Sequence, residues 1–110
     1  MDTLNQYRQI IEKILSDYAS IPYAYGDIET ETVFDRDRDH YLLMNVGWDN
    51  RRVRGALVHL DIRDGKIWVQ RDGTERGIAY ALEDVGIPKS QIVLGFHQPA
   101  VRLHTGFAVA

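Results

Sequence analysis

The chain has 110 residues, of which 45% are hydrophobic and 26% are charged, and this length and composition predict a single domain over residues 1–110. The absence of cysteine excludes disulfides, thiolate metal sites and a thiol nucleophile. The net charge of -3 argues against a broad electrostatic footprint for nucleic acid. Charged residues interrupt the apolar ones throughout residues 1–20, which excludes a signal peptide or membrane span there, and we expect a cytoplasmic protein.

The first segment predicts an amphipathic helix over residues 3–20. Its apolar residues recur at steps of three and four, which places them on one stripe of the helix. Asp2 or Thr3 can cap the helix, and Ile21-Pro22 ends it because proline cannot continue the helical hydrogen-bond ladder. The stripe consists of Leu4, Tyr7, Ile10, Ile11, Ile14, Leu15 and Tyr18.

The middle of the chain predicts strands over residues 29–35, 41–48, 53–63 and 66–71. The first strand alternates acidic residues with threonines, as an edge strand does, and the charged run to Asp39 forms its turn. The polar pair Asp49-Asn50 separates the second strand from the third. Asp64-Gly65 is typical of a two-residue hairpin turn, so the third and fourth strands should pair antiparallel.

A second helix is predicted to open at Asp72-Gly73-Thr74-Glu75, with Asp72 or Thr74 as its cap. Gly86 should close the helix, and short strands are expected over residues 92–96 and 107–109. The buried stripe of this helix is predicted to be Ile78, Ala81, Leu82 and Val85. The fold class is therefore α+β: an antiparallel β-sheet built on a long hairpin, with an N-terminal amphipathic helix and a second helix after the hairpin.

The two-residue turn fixes the pairing of the hairpin. It predicts four cross-strand pairs, which are Ile62 with Ile67, Asp61 with Trp68, Leu60 with Val69 and His59 with Gln70. One face of the sheet should then carry Ala56, Val58, Leu60, Ile62, Ile67 and Val69. The other should carry Val53, Leu57, His59, Asp61, Trp68 and Gln70, joined by Leu42, Met44, Val46 and Trp48 if the preceding loop has an even length. Because this second face is also largely apolar, we expect the C-terminal segment or a second copy of the chain to cover it.

The polar residues on the second face form the best candidate site in the sequence. His59 and Asp61 lie two apart on one strand, close to Trp68 and Gln70, so the carboxylate can orient the imidazole. No nucleophile is apparent beside them, which favours a hydrogen-bonded polar pair under a contact over a catalytic site. A small enzyme or ligand-binding module remains the alternative, with Thr74 and Glu75 at the helix start as further candidates.

Other chemistries have weaker signals. His40, His59, His97 and His104 lack the helical spacing of metalloprotease ligands, so isolated histidines are expected and no metal or other cofactor is predicted. Asp64-Gly65-Lys66 matches a fragment of metal-dependent nuclease sites but is fully explained as a hairpin turn. Residues 78–93 suggest a helix-turn-helix only faintly, because their second half is typical of a strand.

The run from Tyr41 onward resembles the XisI family, the controlling factors for excision of the fdxN element. The resemblance rests on ordered blocks that cover essentially the whole chain. Arg54, where the family pattern has a histidine, and Gly106 depart from it. The blocks are Gly47-Trp48, Arg52-Val53-Arg54-Gly55, His59-Leu60-Asp61-Ile62, Gly65-Lys66-Ile67-Trp68-Val69-Gln70, Asp72-Gly73-Thr74-Glu75, Gly86-Ile87-Pro88-Lys89, Ile92-Val93-Leu94-Gly95-Phe96-His97 and the tail from Arg102 to Val109.

This resemblance implies assistance to a site-specific recombinase that removes a DNA element from a nitrogen-fixation gene during cell differentiation in filamentous bacteria. It also implies a companion protein, XisH, whose fold resembles restriction-type nucleases, and it supplies no catalytic residues. We therefore expect a non-enzymatic accessory factor that contacts an XisH-like companion or the recombinase. A homodimer through the apolar second face is a further hypothesis. The apolar second face and the arginines Arg51, Arg52 and Arg54 are the candidate contact surface, and direct DNA contact is a third hypothesis.

Overall fold

The computed structural model describes residues 3–22 and 27–110. Its strands are β1 (Asp27–Asp35), β2 (His40–Trp48), β3 (Arg52–Arg63), β4 (Lys66–Asp72) and β5 (Ile92–Leu94), and its helices are α1 (Thr3–Ala19), α2 (Ile78–Asp84) and α3 (Pro99–Arg102). The strands form one sheet in chain order. Neighbours pair antiparallel from β1 to β4, while β5 joins β4 in parallel. The predicted α+β class is confirmed, with one parallel strand added.

The N-terminal helix forms as predicted and packs its apolar stripe on the sheet. Tyr7, Ile11 and Leu15 are buried in the core, while Tyr18 at the end of the stripe is exposed. The helix already includes Thr3, and the alternative cap, Asp2, lies outside the described residues. Two ion pairs join α1 to the turn between β1 and β2 and fix its direction across the sheet, Arg8 with Asp39 and Glu12 with Arg36.

The hairpin of β3 and β4 turns at Asp64-Gly65, where both residues have positive φ angles of 52° and 77°. Such angles at both central positions match the twist of the flanking strands. The predicted pairs Ile62 with Ile67, Asp61 with Trp68, and Leu60 with Val69 are confirmed. These pairs place Asp61 and Trp68 side by side on the face away from the helices.

The fourth predicted pair of the hairpin is wrong. The register shifts between His59 and Leu60, so that His59 lies opposite Arg71 and Gln70 is the extra residue of a β-bulge. A bulge adds a residue to one strand only, whereas the prediction paired residues outward from the turn one by one and so contained no extra residue. Gln70 nevertheless stays on the side of Asp61, because its amide hydrogen-bonds to that carboxylate.

A second bulge lies between β2 and β3 and changes which residues face the helices. Leu43 pairs with Val58 and Met44 with Ala56, which leaves Leu57 as the extra residue. Leu57 packs against the core. The predictions that Val53 and Leu57 share a face with His59, and that Ala56 shares the opposite face with Val58, are therefore wrong.

The loop between β2 and β3 is odd in length rather than even, since Trp48 pairs directly with Arg52 across residues 49–51. The odd loop and the bulge compensate, because each shifts the alternation of side chains by one residue. As a result, β2 does place the predicted group on the face of His59. That group is Leu42, Met44, Val46 and Trp48.

The second helix begins later than predicted, at Ile78 instead of near Asp72. The carboxylate of Asp72 still serves its start, because Oδ2 accepts a hydrogen bond from the Ile78 N–H at 2.7 Å and Oδ1 accepts one from the Thr74 N–H at 2.9 Å. Residues 73–77 are held as a loop by these bonds. Val85, predicted as buried, is 53% exposed, while Gly86 follows the helix with a positive φ of 101° as expected.

The core lies between the sheet and the two longer helices. From the sheet it takes Tyr41, Leu43, Val58, Leu60, Ile62, Ile67 and Val69, and from α2 it takes Ile78, Ala79 and Leu82. The predicted strand over residues 92–96 is shorter, and residues 107–109 contribute a single parallel bridge from Ala108 to Val93 rather than a strand. We call the sheet face opposite α1 and α2 the outer face.

Candidate functional site

The polar cluster on the outer face gathers two imidazoles and a carboxylate. His40 begins β2 directly opposite Asp61 of β3, and His59 lies two residues before Asp61. The His59 Nε2 atom is 3.3 Å from His40 Nδ1, which in turn is 3.8 Å from Asp61 Oδ2. One nitrogen or oxygen of each side chain lies within 4.8 Å of those of the other two. The three side chains therefore form one cluster.

Asp61 is a buried carboxylate whose orientation is set by its neighbours. It is only 1% exposed, and its Oδ2 accepts a hydrogen bond from Arg63 Nε at 3.0 Å. Its Oδ1 accepts a second one from Gln70 Nε2 at 3.2 Å. A buried carboxylate that has both a cationic and an amide donor is held in one rotamer.

His59 sits in a setting that favours the neutral imidazole. Burial lowers its pKa and exceeds the opposing effect of the nearby Asp61 carboxylate, and the His40 and Arg63 side chains lower the pKa further. A neutral ring has one nitrogen with a free lone pair. Asp61 and His59 thus meet as predicted, although the closest partner of His59 is the imidazole of His40 rather than the carboxylate.

Trp68 closes one side of this cluster and is itself covered. The guanidinium of Arg63 lies 5.9 Å from the ring centroid and that of Arg102 lies 5.2 Å from it. Arg102 also donates to the backbone oxygens of Gly95 and His97, which holds the segment after β5 against Trp68. The expected cover by the C-terminal segment therefore exists, but it extends over β4 and not over β1 and β2.

An apolar stripe crosses the uncovered part of the outer face. The register aligns Val33 of β1 with Leu42 of β2, and places the remaining members further along β2. Val33, Val46 and Trp48 are exposed, the last by 57%. We define the apolar stripe as Val33, Leu42, Met44, Val46 and Trp48.

Charged residues flank the apolar stripe on both sides. On the β3 side, Arg52 lies over the Trp48 ring at 5.4 Å and Arg54 pairs with Val46, while Arg51 lies in the preceding loop. On the β1 side, the register sets three carboxylates opposite the β2 members of the stripe, namely Asp27, Glu29 and Glu31. Among the described residues, none of these six charged side chains has a salt-bridge partner.

A groove lies elsewhere in the molecule. It has a volume of about 840 Å³ and runs between the end of α1 and the loop before α2. Its lining includes Ile14, Tyr18, Leu57, Thr74 and Glu75. It contains none of the four residues predicted as a site, so Thr74 and Glu75 are separated from His59 and Asp61.

The structure explains the nuclease-like and helix-turn-helix-like sequence signals as ordinary elements of the fold. Asp64 and Gly65 form the hairpin turn, and the Lys66 ammonium binds the backbone oxygen of Ala110. After Gly86 the described chain continues into a single 3-10 turn, Lys89–Gln91, and then β5, so the turn at Gly86 does not lead into a recognition helix, and the four-residue α3 comes only after β5. In the described part of the chain, no helix has the length and apolarity to cross a membrane.

His40 is the residue that the sequence did not place in the site. The sequence shows it only as one of four isolated histidines, because its position opposite Asp61 depends on the register of β2 with β3. That register combines an odd loop with a bulge. One sequence signal could have placed His40 in the site. The apolar residues of β2 match those of β3 when the predicted register between the two strands is shifted by one residue.

Comparisons with known proteins agree over the length of the chain. The family model described as XisI protein matches residues 1–109. Two crystal structures from Anabaena variabilis ATCC 29413 are similar. A XisI-like protein has 40% identity and a TM-score of 0.88, over 97% of this chain and 99% of that one. The fdxN element excision controlling factor XisI has 36% identity and a TM-score of 0.84, over 99% and 100%. Among curated proteins, no match was found.

Proposed function

Because this chain belongs to the XisI family, we propose that it is a non-enzymatic controlling factor for excision of a DNA element in the cytoplasm. A structurally similar protein bears the description of an excision controlling factor. The proposed mode of action is contact with another protein of the excision system, either an XisH-like companion or the site-specific recombinase. The recombinase carries out the strand chemistry in this proposal.

The observation that carries the proposal is the apolar stripe on the outer face. Large exposed apolar groups grouped on one surface are typical of interaction sites. Trp48 is of particular interest, since tryptophan and arginine are enriched among residues that dominate binding energy, and Arg52 already stacks on its ring. An apolar centre bordered by charges has the arrangement of a protein interface.

We assign the XisH-like companion to this surface rather than a second copy of the chain. A two-fold axis along β2 would lay β1 of one copy over β3 of the other, which sets Asp27 and Glu29 opposite Arg52 and Arg54. The same rotation sets Asp35 opposite Asp61, whose buried carboxylate is already bonded to Arg63, so this end of the surface gains no ion pair in a dimer. A partner with its own charge pattern can match both ends of the surface.

The test is complex formation between the purified chain and its companion. Trp48→Glu replaces the most exposed apolar side chain of the stripe with a charge and should weaken the complex about hundredfold, while Leu103→Glu, at an exposed position away from the stripe, should not weaken it. Circular dichroism checks that both variants fold. Equal binding of the companion by the two variants would show that the apolar stripe is not the contact surface.

The homodimer is tested in the same experiment by light scattering. A monomeric mass for the chain alone, with a one-to-one complex on adding the companion, supports the assignment. A dimer that Trp48→Glu converts to a monomer would show instead that a second copy occupies the stripe. Excision measured in cells with the same variants links the contact to the function, and unchanged excision by Trp48→Glu would contradict it.

The arginines beside the stripe also bear on direct DNA contact. Arg51, Arg52 and Arg54 lie at one end of the outer face without a carboxylate partner among the described residues. If they bind phosphates, affinity for duplex DNA should fall steeply as salt rises, and the slope should decrease with each arginine removed. In the proposed mode of action the chain alone shows no such binding.

A further inference from the structure

We propose that His40, His59 and Asp61 form a binding site for a divalent transition metal ion such as Zn²⁺. This inference does not depend on the function proposed above, since it rests on the polar cluster and not on the apolar stripe. Two imidazole nitrogens and one carboxylate oxygen are donors that zinc and its neighbours in the first transition row prefer.

The distances between donor atoms fit a shared ion. Two ligands that each lie 2.0 to 2.1 Å from a tetrahedral zinc ion are about 3.3 Å apart. His59 Nε2 and His40 Nδ1 are separated by 3.3 Å. The 3.8 Å between His40 Nδ1 and Asp61 Oδ2 needs only a small movement, which His40 can make because 38% of its side chain is exposed. The donor atoms of His59 and Asp61, which lie within 4.8 Å of each other, must also move closer around the ion.

The surroundings of the donors support binding. Gln70 holds Asp61 through Oδ1, and such a hydrogen bond to a ligating carboxylate orients it. Three protein ligands leave at least one coordination position for water or for a ligand from another molecule.

The positive charge of Arg63 should weaken the binding of a metal ion at this position, and this gives a direct test of the proposal. The Arg63 guanidinium donates a hydrogen bond to Asp61 Oδ2 at 3.0 Å, so a metal ion must share this oxygen with the guanidinium or displace the guanidinium. The Arg63 side chain is 58% exposed and has room to turn away. Removing this positive charge should therefore tighten metal binding, whereas a purely structural cluster would gain no affinity.

The test uses untagged protein, because a polyhistidine tag binds the same ions. Titration with Zn²⁺ followed by calorimetry should give one site per chain, and Co²⁺ should develop the visible absorption of a low-symmetry site. His40→Ala and His59→Ala should each weaken Zn²⁺ binding at least tenfold. His104→Ala, which removes an exposed imidazole away from the cluster, should bind as the parent does.

Two further variants separate a metal site from a structural one. Arg63→Gln should bind Zn²⁺ several times more tightly, and Gln70→Ala should bind it about tenfold more weakly, as expected for loss of an orienting hydrogen bond. Thermal melts without metal show whether each variant folds. Zn²⁺ binding that is absent, or that responds equally to His104→Ala and His40→Ala, would overturn the proposal.

Discussion

Gly47 lies directly against the backbone carbonyl of Asp27, so closely that a Cβ atom at position 47 would overlap the carbonyl oxygen. Both residues belong to the paired strands β1 and β2, whose separation is fixed by their hydrogen bonds. Gly47→Ala must push β1 away from β2. We expect it to lower the free energy of unfolding by about 3 kcal/mol, measured by urea denaturation.

The control for this steric effect is Gly106→Ala. Gly106 has a positive φ of 82°, but nothing lies within 4 Å of a Cβ atom there. An alanine at that position carries only the conformational cost of about 1 kcal/mol. If both variants lose the same stability, the close approach of Gly47 to β1 is not the cause.

Asp39 should make the protein sensitive to acid. Two hydrogen bonds from Arg8, at 2.7 and 3.1 Å, and one from the Tyr41 hydroxyl lower the pKa of Asp39 below its ordinary value of 3.8. Because the unfolded chain takes up this proton first, the contribution is present above the ordinary value and is lost as the pH falls through the folded-state pKa. Urea denaturation between pH 7 and pH 3 should show the loss.

Asp39→Asn keeps the shape of the side chain and tolerates the positive φ of 57° at this position. It should be less stable by about 2 kcal/mol at pH 7, because it loses the charged partner of Arg8. The difference between the parent and the variant should shrink in acid. A difference that stays constant from pH 7 to pH 3 would show that Asp39 does not contribute through its charge.

Tyr41 should make the stability of the protein depend on pH in the alkaline range. Its burial in the core, and then its hydrogen bond to the Asp39 carboxylate, raise the pKa of its hydroxyl well above the ordinary value. Stability linked to this raised pKa is fully present below pH 10 and is lost as the pH rises above it, because the unfolded chain releases the proton first. Tyr41→Phe should lose about 1 kcal/mol at pH 7 and less at pH 11.

Asp72 should be the residue that starts α2. Its carboxylate accepts hydrogen bonds from the Thr74 and Ile78 N–H groups. Asp72→Ala should lower the free energy of unfolding by about 1 to 2 kcal/mol, as for loss of a helix cap. Asp84→Ala is the matched control: Asp84 also has a hydrogen-bonded partner, Arg76, but both side chains are exposed, and the expected loss is under about 1 kcal/mol.

The structural features that depend on residues close together in the chain could be predicted from the sequence. The turn at Asp64-Gly65 follows from the residues that tolerate positive φ, and the stripe of α1 follows from helical spacing. The pairs next to the turn, Ile62 with Ile67 and Asp61 with Trp68, follow from both. These features need no information from distant parts of the chain.

The predictions from sequence are wrong where the structure depends on packing between strands that are distant in the chain. The bulges at Leu57 and Gln70 let each strand match its neighbour in the core, and no local signal marks them. The predicted start of α2 is wrong because Asp72 caps Ile78 from six residues away, beyond the usual capping distance. The approach of His40 to Asp61 depends on the register that the bulge at Leu57 sets.

The bulge at Leu57 also decides how substitutions in this strand should be interpreted. Along an unbroken strand, even-numbered and odd-numbered positions belong to different sides, but here the rule reverses at residue 57. Arg52 and Arg54 lie on the side of His59, although their numbers are even and its number is odd. Deleting Leu57 would restore simple alternation and turn either the arginines or the histidine towards the helices. A single-residue gap at this point in an alignment of relatives would therefore mark a change of the outer surface itself.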